Sequence, residues 1–110
     1  MKIEIKCQDQ CLDATLQRQI VRQIEFGLGL VAPHVRKVTV RLAAIPGQRS
    51  GNGTHCQLQI GLQHWPDLLI DDVAGDVLFA IHRSTDRACR SVRRLLRQQH
   101  DYPRALQVQY

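Results

Sequence analysis

No apolar run in this 110-residue chain approaches the twenty or so residues that a bilayer core demands. Charge interrupts from Lys2 onwards, so a basic-then-apolar leader is missing too, and a soluble cytoplasmic protein is expected. Four cysteines invite a zinc or disulfide reading but lack the spacing for metal: Cys7 and Cys11 have a usable four-residue step, but no second pair or closely spaced Cys/His pair completes a ligand set. Cys56 and Cys89 fall where the pattern asks for small apolar residues, which points to free buried thiols and to no cofactor. The glycine-rich stretch PGQRSGNGT is not followed by Gly-Lys-Ser/Thr and opens no helix, which excludes a phosphate-cradling loop. His34, His55, His64, His82 and His100 have no catalytic spacing. A general acid and base set assembled from His55, His64, Asp71 and Asp72 has no pattern behind it, so no enzyme and no small-molecule substrate are expected.

Acidic residues are also in deficit, ten against fifteen Lys and Arg, for a formal net charge of +5. With 44% apolar and 23% charged residues the composition is that of a single globular domain with one core. The excess charge asks for an acidic partner such as nucleic acid.

That charge is concentrated between residues 75 and 99, GDVLFAIHRSTDRACRSVRRLLRQQ. At about 100° per residue, Arg83, Arg87, Arg90, Arg94 and Arg97 stack along one stripe of a helix. Leu78, Ile81, Ala88, Val92, Leu95 and Leu96 form an apolar arc on the opposite side. Five like charges disfavour an isolated helix, and only Asp76 and Asp86 offset them within the segment. Folding supplies no evident reason for such a stripe. Arginine in place of lysine suits phosphate oxygens and bases, because its fork is planar and bidentate.

Elsewhere the periods alternate. KIEIK, residues 2 to 6, reads as a strand, and Asp13 caps a helix in which Leu16, Ile20, Ile24 and either Val21 or Leu28 recur at helical spacing. That helix ends near Gly27 to Gly29, with Arg18 and Arg22 on its outer side, and Pro33 breaks the chain. VRKVTVRLAAI, residues 35 to 45, puts Val38, Val40 and Leu42 on one face and Lys37, Thr39 and Arg41 on the other. After the glycine-rich loop, which carries Arg49, residues 55 to 62 turn Cys56, Leu58, Ile60 and Leu62 inward and Gln57 and Gln59 outward. HWPD makes a turn and residues 68 to 73 a fourth strand. Asp72 or Asp76 suits the start of the second helix. The order is β-α-β-β-β-α: an α+β two-layer sandwich, with a four-stranded sheet, two helices on one face, a parallel first pair and an antiparallel meander. Residues 1–98 form the domain and 99–110, from which Pro103 excludes helix, a tail.

Two segments resemble the family of ribosome hibernation-promoting factors and ribosome-associated inhibitors, also called sigma-54 modulation proteins. VRKVTVRL, a Gly-bearing loop and THCQLQIGL are similar to the family's strand, loop and strand. DVLFAIHRSTDRACRSVRR is similar to its second helix, with Asp76, Ala80, Ile81, Asp86, Arg87, Ala88, Arg90 and Arg94 at matching places. The resemblance covers about residues 1 to 98. It implies the same β-α-β-β-β-α fold, of double-stranded-RNA-binding-domain type, and binding to the small ribosomal subunit and its rRNA in the channel for messenger and transfer RNA, silencing idle ribosomes under stress. His82 and Phe79 depart from the family pattern, and no second, dimerising domain is present in the sequence. The candidate RNA-binding residues are Arg83, Arg87, Arg90, Arg94 and Arg97, with Lys37, Arg41 and Arg22 as further contributors. A different class of function, a module binding an acidic protein or pairing as a homodimer through the open sheet face, is the alternative. The polar Thr39, Arg41, Gln57 and Gln59 argue against a large dry interface there.

Overall fold

The computed structural model describes residues 1–7, 13–45 and 53–101. Its elements run β1 (Lys2–Cys7), α1 (Ala14–Gly27), a short 3-10 helix (Gly29–His34), β2 (Val35–Ile45), β3 (Gly53–Leu62), β4 (Leu68–Ala74) and α2 (Val77–Asp101). The strands form one sheet in the order β1-β2-β3-β4. β1 is parallel to β2, and β2, β3 and β4 are antiparallel neighbours. This is the expected α+β sandwich, and each alternating run becomes a strand with its apolar set inward. Ile5, Val40, Leu58 and Ile70 stand opposite one another across all four strands. Ile20 and Ile24 of α1 and Ile81, Ala88 and Val92 of α2 close over the same face.

The helix boundaries have local causes. Asp13 Oδ1 accepts from the Leu16 amide at 2.7 Å, satisfying a free donor of the first turn of α1. Asp76 does the same for α2, its Oδ2 accepting from Phe79 N at 3.1 Å. Of the two aspartates suited to that start, Asp76 is the cap and Asp72 has another task. Likewise Leu28, not Val21, completes the buried side of α1, and it is fully buried. Pro33 sits inside the 3-10 helix that joins α1 to β2, so the break is a short tight helix and not a loop. α2 continues to Asp101, three residues into the expected tail and two short of Pro103. The rest of the tail, the glycine-rich residues 46–52 with Arg49, and Cys11 lie outside the described residues.

α1 and α2 meet at Gly27, where a Cβ would lie 2.4 Å from Thr85 Cγ2. Gly27→Ala gains helix propensity but forces a stiff, β-branched, buried neighbour to move. The expected net result is a destabilisation of about 1 kcal/mol or more, read by urea unfolding. Thr85→Ser, which deletes that methyl, should restore most of the loss in the double variant. If it does not, the contact is not the cause.

Candidate nucleic-acid interface

α2 has three sides. The first faces the sheet and holds Ile81, Ala88 and Val92, together with two polar residues that the apolar arc did not foretell, Ser84 and Thr85. Ser84 Oγ lies 3.9 Å from Cys56 Sγ. Burial pushes the Cys56 thiol up to about 11, so it stays protonated near neutral pH, as a free buried thiol should. Among the described residues no cluster of His, Cys, Asp or Glu could hold a metal ion.

The second side is the arginine stripe, whose first two members reach the edge strand β4 and whose other three do not. Arg83 donates to both Asp72 carboxylate oxygens at 2.6 Å and to Val73 O at 3.0 Å. Its guanidinium also lies 5.1 Å from the centre of the Phe79 ring. Arg87 Nη1 donates to Asp71 O at 3.0 Å. These two side chains occupy carbonyls that β4, as an edge strand, would otherwise offer to another chain. Two of the five arginines therefore have a folding role that periodicity alone did not reveal, contrary to the expectation that folding supplies no reason for the stripe. Arg90 keeps only an exposed ion pair with Asp86 at 3.3 Å. Among the described residues Arg94 and Arg97 make no hydrogen bond or ion pair, and both are exposed.

Asp72 is the anchor of the engaged half. Its side chain is 9% exposed and accepts from Arg83 and from the Val73 amide. The Arg83 hydrogen bonds hold its carboxyl below the ordinary aspartate range against the opposing effect of desolvation. A carboxyl lowered in the folded state stabilises that state fully above its unfolded pKa, near 3.9, and loses the contribution as pH falls through the lower folded value. The stability gap between wild type and Asp72→Asn, measured in urea at several pH values, should be widest at pH 6 and shrink towards pH 3. An unchanged gap would mean that the pair contributes nothing dependent on charge.

The third side faces α1 across a groove, and here lies Arg93, which stands outside the stripe pattern. It is one step of 100° past Arg94, on the same flank as His82 and Asp86, and the adjacent pair Arg93-Arg94 is the sequence signal for it. Arg22 of α1 and Arg90 of the stripe border the same groove.

Lys37 and Arg41 stand apart. Strand alternation carries them to the open face of the sheet, away from both helices, and there their charges are engaged. Lys37 Nζ is 3.5 Å from Glu4. Arg41 donates to Gln59 Oε1 at 2.8 Å, and Gln59 in turn donates to Asp67 at 2.8 Å. His55 and Gln57 both reach Asp71 Oδ1, at 2.9 and 3.3 Å. The eight candidate residues thus do not share one surface: Arg83 and Arg87 reach β4, Arg94 and Arg97 stand exposed on α2, Arg90 and Arg22 border the groove, and Lys37 and Arg41 lie on the open sheet. The acid and base set is split likewise, since Asp71 meets His55 on the open face while Asp72 turns to α2.

No family model matches the chain, and neither does any curated protein. Among solved structures, a ribosomal subunit interface protein from Coxiella burnetii superposes with a TM-score of 0.74 at 6% identity, covering 86% of this chain and 97% of that one. The N-terminal domain of Protein Y from Thermus thermophilus gives 0.68 at 14% identity, covering 86% and 99%. The fold implied by the sequence resemblance is therefore the fold observed. Among the described residues no helix is long and apolar enough to cross a membrane.

Proposed function

We propose that this protein binds the small ribosomal subunit through rRNA and acts there by occupancy, blocking the channel for messenger and transfer RNA, without chemistry of its own. The observation that carries the reading is the half of the stripe not tied to β4: Arg90, Arg94 and Arg97 are exposed along a helix held in place by the sheet and by α1, in a fold shared with a ribosomal subunit interface protein. A rigid row of guanidiniums tracks phosphates, and A-form RNA is recognised mainly through backbone and shape. Arg83 and Arg87, tied to β4, add positive potential more than contacts. Lys37 and Arg41, on the far face, are spectators in this arrangement.

Co-sedimentation of the protein with purified small subunits over a salt series tests the proposal. Three phosphate contacts predict that log K falls with log salt at a slope of about 2 to 3. No association at low salt, or a slope of about 1 or less, would overturn it.

A further inference from the structure

Between α1 and α2 runs an open groove of about 1020 Å³, bordered by Arg22, Phe26, Leu30, Leu78, Thr85 and Arg93 among others. Leu78 and Arg93 are fifteen residues apart on α2, so the groove extends about 22 Å along that helix. Phe26 is 89% exposed and Leu30 77% exposed at its border. Neither is needed by the core, which α1 fills with Ile20, Ile24 and Leu28. Thr85 Oγ1, in a residue of the groove wall, is the one buried side-chain polar atom among the described residues without a hydrogen-bond partner. The surrounding charge is positive: Arg22 and Arg93 have no ion pair among the described residues, while the acid present, Asp86, is shared with Arg90.

We propose that this groove docks an acidic amphipathic segment of a partner protein, its apolar side chains seated against Phe26, Leu30 and Leu78 and its carboxylates meeting Arg22 and Arg93. Two other occupants fit less well. A second copy of this chain carries a formal net charge of +5 and so offers little to complement Arg22 and Arg93, and RNA phosphates would leave the apolar border uncovered. A trough of this length between two helices suits a segment with anchors at helical spacing, one apolar face down and acids at its flanks. The groove shares Arg90 with the stripe, but Arg83, Arg87, Arg94 and Arg97 are not among its lining residues, and its apolar border of Phe26, Leu30 and Leu78 is no part of the stripe.

The test is selection of a phage-displayed 12-residue peptide library on the full chain, followed by fluorescence anisotropy with the synthesised consensus peptide. Enrichment of sequences combining Asp or Glu with two or three large apolar residues at steps of three or four is expected. The double variant Phe26→Asp, Leu30→Asp should weaken the consensus peptide at least tenfold while co-sedimenting with small subunits as wild type does. Both substitutions are at exposed positions, and circular dichroism confirms the fold. Amide shift changes on adding the peptide should cluster on α1 and the facing side of α2. Enrichment without that acidic and apolar pattern, or binding unaffected by the double variant, overturns the proposal. Concentration-dependent dimers that the double variant abolishes would assign the groove to a second copy and overturn it as well. Loss of ribosome binding in the double variant would make the groove part of the RNA surface, again overturning it, whereas failure of wild type to sediment with ribosomes bears only on the preceding proposal.

Discussion

Replacing Arg90, Arg94 and Arg97 by glutamate is expected to abolish co-sedimentation with the small subunit and to leave the fold intact. The three reversals take the formal net charge from +5 to −1, and they place acid where phosphate would otherwise lie. An affinity loss of at least about a hundredfold near physiological salt follows, with the salt slope collapsing towards zero. The fold survives because all three side chains are exposed and only Arg90 has a partner, an exposed pair of the kind that contributes little. Arg83→Ala and Arg87→Ala make the complementary pair: a smaller effect on RNA affinity, but faster hydrogen exchange along β4, whose edge they cover. Should the triple reversal sediment like wild type while the Arg83 and Arg87 variants do not, the assignment of roles along the stripe is inverted.

Leu58→Ala is expected to produce the largest change in stability. Leu58 is fully buried at the middle of β3, with Val40 opposite on one neighbouring strand and Ile70 on the other. β3 has a strand on either side and α2 above it, so the residues around a lost isobutyl group are held by hydrogen-bonded ladders and cannot readily collapse into the space. Under those conditions a Leu to Ala truncation costs about 2–5 kcal/mol, out of a total of about 5–15 kcal/mol for a domain. A fall in Tm of roughly 10 to 20 °C should accompany it. A loss below about 1 kcal/mol would show that the central row of the sheet is not the tightly packed unit described here.

Most of the fold is legible in the chain because it rests on local period. Ile3 and Ile5 alternate with charge, Val38, Val40 and Leu42 alternate with Lys37, Thr39 and Arg41, and each set finds the face that alternation assigns it. The caps are equally local, since Asp13 and Asp76 bond amides three residues away. What period could not resolve was choice among equals. Val21 and Leu28 both suit the inner side of α1, and only the position of the 3-10 helix and the sheet decides for Leu28. Asp72 and Asp76 both suit a helix start, and only the distance from Asp72 to Arg83 takes it out of that role.

The candidate interface follows the same division. The sequence by itself determined that one helix would carry five arginines on a side turned away from its apolar arc, because helical spacing is a property of neighbours in the chain. Tertiary structure alone decided which of them are free. Arg83 is spoken for by Asp72 and Val73, and Arg87 by the carbonyl of Asp71, through contacts between β4 and α2 that no periodicity encodes. It also sent Lys37 and Arg41 to the far side of the sheet and opened a groove at Phe26, Leu30 and Arg93. The physical reason is that side-chain direction is set within an element, whereas charge pairing and concavity arise between elements, where packing brings distant residues together.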